Sequence, residues 1–417
     1  VSSPVLAQDQ PLEPIELPPS IEQGVDLIYI DPEIKPEIDR RNELLRTMGF
    51  KDWSGAPIDL YVPVNDRYTD LRRGLMKYRQ RWGDLPQVQV PTGTVALKPG
   101  SKDARVTLLR QRLGLAAGDS FDAALEKQVR DYQAAHGLKA DGVAGNGTLA
   151  SLNRGSEHFE RMIILNMERA RRLPTAQDNA RYILVDAGAA RLYVYEDGKV
   201  VDSMNVIVGD AERQTPMMAA ELRYVQLQPY WNVPPDLAKN LVAPRVVEQG
   251  VAYLEERDYA VFDGWEDDAA KIDPASVDWK GVAAGTVDVR LRRGPGEWNS
   301  MGDMKFMIPN DFGIYLHDVP EPEKPMFQAE NRWISNGCIR LQDADRLLKW
   351  AFGGKPNSTG ETDERVDVPD PVPVYITYFT AAPTADGVAF RADPYNRDEK
   401  LLSRVTLDSV DIASTSE

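Results

Sequence analysis

The chain has 417 residues, 42% hydrophobic and 27% charged, which gives room for two or three domains and the proportions of a soluble globular protein. A formal net charge of −16 disfavours a general nucleic-acid or anionic-membrane binder, since both select a basic face. No run approaches the roughly 18 apolar residues that a membrane helix needs, so no integral membrane segment is expected in the mature chain.

The first ten residues read like the tail of a secretory signal, with Val5 and Ala7 as the small residues a signal peptidase accepts and cleavage after Ala7. Residues 1–26 are rich in proline and acids and are expected to be a disordered leader. A helical scaffold is expected over 27–100 and 154–174. In it Leu71, Leu75, Tyr78 and Trp82 recur at i, i+4, i+7 and i+11, and Gly83 and Pro86 end that helix. Residues 101–153 read as a small helical module. Val106, Leu109 and Leu113 mark one helix, Leu125, Val129 and Tyr132 a second, and a glycine-rich turn from His136 to Leu149 leads into a third. Those glycines follow a helix and have the wrong spacing for a dinucleotide site. Another amphipathic helix, Ser156 to Leu173, turns Phe159, Met162, Ile163 and Met167 inward and stops at Pro174.

After residue 180 the period changes from helical to alternating. Tyr182–Val185, Arg191–Tyr195 and Val200–Val208 read as a β meander, with further strands near 221–228, 287–292, 305–308, 313–317 and 373–379. The fold class expected is therefore α+β. It has a mainly β domain over 175–405, a mixed sheet of sandwich or barrel-like form, together with the helical scaffold and module. A polar insertion at about 234–293, with Trp265 and Trp279, is either a lid over a site or a decorative subdomain. Residues 353–372 look like a surface loop, and 406–417 like a disordered tail.

The only cysteine lies in Trp333-Ile334-Ser335-Asn336-Gly337-Cys338-Ile339-Arg340, downstream of the strand-like Ile314-Tyr315-Leu316-His317. A lone cysteine is most often a buried small residue, so that reading stands beside a nucleophile. Alternation sends Tyr315 and His317 to one face, away from Ile314 and Leu316. A nearby imidazole can turn a thiol into a thiolate–imidazolium pair, and backbone N–H groups around Gly337 and Cys338 can stabilise an oxyanion. A cysteine, a histidine and such donors suffice for acyl transfer without metal or cofactor. His136 and His158 lie in helical segments and read as structural or solvated. Three dispersed histidines and one cysteine show no metal-ligand spacing, so no metal is expected. Acid pairs such as Asp267-Asp268 are more simply a solvated surface, although a two-carboxylate glycosidase stays open.

These residues resemble the L,D-transpeptidases with the YkuD-type catalytic domain, whose signature is an upstream histidine followed by Ser/Thr-His-Gly-Cys. Here the positions read Tyr315-Leu316-His317-Asp318 and Ser335-Asn336-Gly337-Cys338-Ile339-Arg340. Beyond the motif, Val206-Ile207-Val208-Gly209, Pro229-Tyr230-Trp231-Asn232-Val233-Pro234, Gly302-Asp303-Met304-Lys305-Phe306 and Ile308-Pro309-Asn310 resemble the large periplasmic branch of that family in Gram-negative bacteria. Residues 101–153 are similar to a small helical peptidoglycan-binding module, in Tyr132-Gln133, His136-Gly137-Leu138 and Asp141-Gly142.

The resemblance implies Cys338 as the acyl-forming nucleophile and His317 as its base. The Asp318 carbonyl would orient the imidazole, and the Gly337 and Cys338 amides would line the oxyanion hole. Tyr315, Trp231, Ser335, Asn336 and Arg340 are the implied substrate residues, with Arg340 favoured as a brace for the cysteine loop. Asn336 departs from the pattern, since many members have histidine there, which puts donor recognition in doubt. The reaction implied joins peptidoglycan stem peptides, as donor and acceptor, through a Cys338 thioester with loss of terminal D-alanine. The helical module would hold the glycan, the insertion would be a capping lid, and the chain would work in the periplasm. The alternatives are an L,D-carboxypeptidase or endopeptidase with the same Cys–His pair, or a non-catalytic peptidoglycan-binding scaffold. A sortase lacks its usual Thr-Leu-x-Thr-Cys context here.

Overall fold

The computed structural model describes residues 27–34, 65–175, 180–266, 268–403 and 405. The expected leader and its cleavage site, the tail 406–417, residues 35–64 of the scaffold and Asp267 of the acid pair lie outside the described residues. The described chain divides into two compact units. One comprises Met204–Thr215 and Ala220–Val374, and the other takes its residues from Pro19–Ser203, Pro216–Ala219 and Tyr375–Glu417.

The second unit is mainly helical. Its helices are α1 (Asp66–Tyr78), α2 (Arg105–Arg112), α3 (Ala123–Ala135), α4 (Asn146–Arg154) and α5 (Ser156–Arg171). Helix α1 starts where Asn65 accepts the Tyr68 N–H at 3.0 Å, and it buries the expected stripe of Leu71, Leu75 and Tyr78. Within 101–153 the glycine-rich turn is held by one side chain. The Gln133 amide donates to Asp141 Oδ1, the Val143 carbonyl and Thr148 Oγ1 at 3.0–3.1 Å, and its oxygen accepts the Gly142 N–H at 2.9 Å. Gly142 has φ +76°, a conformation that suits glycine alone. His136 is buried against Tyr132, with ring centroids 3.8 Å apart, and its Nε2 lies 3.2 Å from the Tyr78 hydroxyl. It is a core residue. Strand β1 (Tyr29–Ile30) pairs in parallel with Met218 and Ala219, β2 (Arg181–Asp186) pairs antiparallel with β3 (Arg191–Glu196), and β15 (Ala381–Thr384) pairs with β16 (Gly387–Phe390).

The first unit holds the cysteine. It takes residues from β4 (Lys199–Gly209), β5 (Met218–Leu227) and β14 (Glu364–Thr377). Between them β5 pairs antiparallel with β10 (Met304–Met307), and β10 with β11 (Leu316–His317). Strand β11 then pairs in parallel with β13 (Ile339–Leu341), and β13 antiparallel with β4. A short strand, β12 (Trp333–Ser335), joins the end of β4 in parallel with a register shift.

This corrects the expected sandwich or barrel-like domain. The fold is mixed α+β with an irregular ten-stranded mixed sheet, one strand off its path, and no barrel. A barrel needs consistent tilt and stagger around all its strands. Here strand lengths run from 2 to 14 residues, and parallel pairs interrupt antiparallel ones. Alternation in a sequence shows that one face is buried, but carries no information on how the sheet closes. The expected surface loop at 353–372 is also corrected, because β14 begins at Glu364.

The insertion between β5 and β10 folds around its own core. Strands β6 (Trp231–Val233), β7 (Tyr259–Phe262), β8 (Lys271–Ile272) and β9 (Arg290–Arg293) form a four-stranded sheet in the order β6-β9-β7-β8. Helices α6 (Ala243–Gln249) and α7 (Trp279–Ala284) add to that core, which includes Val242, Leu254, Trp279 and Leu291. Tyr315 packs on its margin.

Replacing Gln133 by Leu keeps helix α3 intact but leaves the Gly142 N–H and its neighbours unpaired. A loss of about 2–3 kcal/mol in urea unfolding is expected. An unchanged midpoint would show that the turn is held by other groups.

Candidate active site

The segment leading to His317 is shaped by one asparagine. The Asn310 side-chain nitrogen donates to the Ile308 and Ile314 carbonyls, and its oxygen accepts the Phe312 and Ile314 N–H groups at 3.0 and 3.1 Å. These bonds close a tight turn, so the chain emerges at Tyr315 already aimed along β13. The Tyr315 carbonyl then accepts the Ile339 N–H at 3.1 Å, and His317 stands opposite Arg340. With period two along each strand, Tyr315, His317, Cys338 and Arg340 share one face.

The cysteine loop is pinned at three points. Ser335 is buried, and its hydroxyl donates to the Cys338 carbonyl at 2.7 Å while accepting the Gly337 N–H at 3.2 Å. The buried Thr215 hydroxyl donates to the Gly337 carbonyl at 2.7 Å and accepts the Gly209 N–H at 2.9 Å. Gly337 has φ +114°, outside the range of L side chains, so the loop needs glycine there. The thiol of half-buried Cys338 lies 3.8 Å from the Gly313 carbonyl. The two amides expected to form an oxyanion hole therefore differ. Gly337 N–H is engaged by Ser335, whereas among the described residues the Cys338 N–H has no hydrogen-bond partner.

His317 is buried, and its Nδ1 lies 2.6 Å from the Asp318 carbonyl. The carbonyl can only accept, so that contact puts a proton on Nδ1, and a second backbone hydrogen bond, to Ser300, also favours the protonated ring. The Asp318 carboxylate has a separate task. It accepts the Asp303 N–H at 3.1 Å and packs against Gly302, where an added Cβ would sit 2.5–2.7 Å from it. Burial pushes the Asp318 carboxyl up from its ordinary range.

Burial, with help from the Arg340 and Lys305 charges, pushes the His317 imidazole down to about 3. Burial also pushes the Cys338 thiol up, against the lowering effects of Tyr315, Lys305 and Arg340. Both shifts disfavour the thiolate–imidazolium pair expected from residue types alone. The reason is desolvation, which penalises both charged forms.

The remaining expected residues fall as follows. Tyr315 is half-buried, with its ring 5.7 Å from the His317 ring. Asn336 is exposed beside the cysteine. Arg340 pairs with Glu323 at 3.3 Å, the geometry of a brace. Trp231 is buried in the core of the insertion against Tyr259. Sequence reasoning gave no role to Lys305, Thr215 or Asn310. Lys305 stood on the opposite face from Met304 and Phe306 in an alternating strand, but which neighbour that face meets is decided by pairing. Among the described residues no group of three or more His, Cys, Asp or Glu is placed to hold a metal ion.

Residues 180–374 match the family model described as the L,D-transpeptidase catalytic domain. The chain carries a YkuD-type L,D-transpeptidase catalytic domain. Residues 107–152 match the model described as "Putative peptidoglycan binding domain", which places a peptidoglycan-binding module next to that domain. A Haemophilus influenzae protein named "Putative L,D-transpeptidase" is 28% identical over 257 residues, covering 60% of this chain and 50% of that protein. The chain thus spans about half the length of that relative. Among solved structures, an L,D-transpeptidase from Xylanimonas cellulosilytica is 16% identical with TM-score 0.24, covering 69% of this chain and 99% of the other. One from Mycobacterium smegmatis is 13% identical with TM-score 0.22, covering 48% and 58%. Those structural likenesses are too slight to bear on the site.

Two outcomes follow for the L,D-transpeptidase domain. Alkylation of Cys338 by a neutral reagent should rise with pH through one step above the ordinary thiol value of 9.0, with no step near 6.5. A plateau of reactivity through neutral pH would instead reveal a preformed ion pair. Thr215→Val keeps the volume but releases the Gly337 carbonyl and the Gly209 N–H. We expect a roughly tenfold slower acylation of Cys338 with little change in fold content by circular dichroism.

Proposed function

We propose that this protein is a cysteine-dependent L,D-transpeptidase that cross-links peptidoglycan stem peptides. The observation that carries the reading is the fixed geometry of the Cys338 loop beside an imidazole whose Nδ1 is tied to the Asp318 carbonyl at 2.6 Å. His317 Nε2 takes the thiol proton as sulfur attacks the carbonyl of the third stem residue, a diamino acid. The Cys338 N–H supports the developing oxyanion. The imidazolium then returns its proton to the departing amine of terminal D-alanine, leaving a thioester. The side-chain amine of a second stem attacks that thioester, His317 takes the proton, and the thiol is regenerated with the cross-link formed.

The insertion supports transfer over hydrolysis, because a folded lid packed on Tyr315 limits the access of water to a thioester. The module at 107–152 supports anchoring on the glycan. Action on peptidoglycan takes place outside the cytoplasmic membrane, which supports the periplasm of a Gram-negative bacterium as the site of work. Among the described residues no helix is long and apolar enough to cross a membrane, which fits an exported chain.

Incubation with purified disaccharide-tetrapeptide should yield tetrapeptide–tripeptide dimers and free D-alanine, and Cys338→Ala should abolish both. Tripeptide monomer as the sole product would replace this reading with a carboxypeptidase. A carbapenem should add its mass to Cys338, and the absence of any such adduct would count against a working nucleophile.

A further inference from the structure

The four-stranded sheet of the insertion has two unlike faces. Trp231, Val233, Tyr259, Val261 and Leu291 belong to the insertion core, on whose margin Tyr315 packs. Alternation turns Asn232, Ala260, Phe262, Arg290 and Arg292 to the other side. The register there sets Arg292 between Asn232 and Ala260, and Phe262 between Arg290 and Lys271. Cations and rings alternate across this face. The Arg292 guanidinium lies 4.3 Å from the centre of the Tyr230 ring and 4.6 Å from that of Phe262, and Arg290 lies 5.4 Å from the Phe262 centre. Elsewhere in this unit Arg213, Arg245, Arg257, Arg340 and Arg346 each meet a carboxylate at 2.6–3.8 Å. Here none does. Among the described residues the side chains of Arg292 and Lys271 have neither an ion pair nor a hydrogen bond, and Arg290 bonds the Glu266 carbonyl at 2.8 Å. Asp263 accepts the Ala270 N–H at 2.8 Å, and Asp288, two residues before Arg290, pairs with neither arginine.

We propose that this face of the insertion is a docking surface, separate from the catalytic face, for the carboxylates of peptidoglycan stem peptides. The identity of the partner rests on the transpeptidase reading, whereas the surface rests on the ladder of rings and cations. Three cations without acids stand together on a chain of net charge −16, which selects an anionic partner. A guanidinium flanked by two rings is left with its N–H edge for hydrogen bonding. A planar carboxylate fits that edge through two parallel bonds, and half-burial strengthens the pair over one in open water. Arg290 and Arg292 are two residues apart on one strand, roughly 7 Å, so the face can hold two carboxylates at once. A membrane surface fits less well. It selects exposed apolar anchors, and here Phe262 is half-buried beside two charged groups. A weak contact of this kind adds to that of the module at 107–152 by raising the effective concentration of the polymer.

The test measures binding of the full chain to purified sacculi, with Cys338→Ala in every protein so that no turnover intervenes. Arg290→Gln/Arg292→Gln should weaken binding about five- to tenfold relative to the parent. On sacculi whose stem carboxylates have been amidated, the two proteins should bind alike. Equal binding to untreated sacculi overturns the proposal. So does a difference that persists in full after amidation, which would assign the face to the glycan. Tighter binding of the parent to vesicles of anionic phospholipid than to sacculi, lost in the double variant, would replace the partner by a membrane. A parent dimer in sedimentation velocity that the double variant lacks would replace it by a second copy of the chain. Lys271→Glu changes an exposed side chain without a partner, so it serves where the double variant fails to fold. It should weaken binding about threefold on untreated sacculi only, and an unchanged affinity would overturn the proposal equally. Cross-linking is read separately, so failure of the transpeptidase reading would show as absent dimers with this binding pattern intact.

Discussion

The parallel pairing of two residues of β11 with β13 is the constraint on which the site depends. It sets His317 opposite Arg340 and ties Tyr315 to Ile339, so the imidazole, the phenol ring and the thiol fall on one face. A slip of one residue in that register would turn His317 into the apolar side and bring Leu316 to the thiol. So short a pairing cannot hold itself. It is fixed from outside, by Asn310 closing the turn before β11 and by Ser335 and Thr215 holding the loop before β13. Thr215 lies in the segment between β4 and β5, so the position of the cysteine is set by a residue remote from it in sequence.

The same packing determines the electrostatics. Burial of His317 removes the water that would stabilise an imidazolium, and Arg340 and Lys305 oppose the charge further. Burial of the thiol acts in the same direction on the other partner. Both effects disfavour the charged forms of the pair.

Much of this was legible from residue order. The stripe of Leu71, Leu75 and Tyr78 identified its helix because helical period is a local property. Alternation at Tyr315 and His317 pointed both side chains the same way, and Gly337 stood beside the cysteine where backbone donors were expected. The misreadings share another cause. The expected sandwich or barrel failed because closure of a sheet depends on pairing and stagger, which period-two patterning does not carry. The expected surface loop missed the strand that begins at Glu364, because a strand is decided by pairing with distant segments.

By itself the sequence determined the elements and the inventory of chemistry: one thiol, a histidine on a strand face, a glycine beside the nucleophile and a helical module. These are local matters, governed by side-chain period, backbone freedom and residue type. Only the tertiary structure decided that Lys305 stands opposite His317, that Thr215 holds the Gly337 carbonyl, and that Ser335 engages the Gly337 amide. Those facts come from pairing between segments distant along the chain, and from the desolvation that pairing brings, neither of which is written in the spacing of residues.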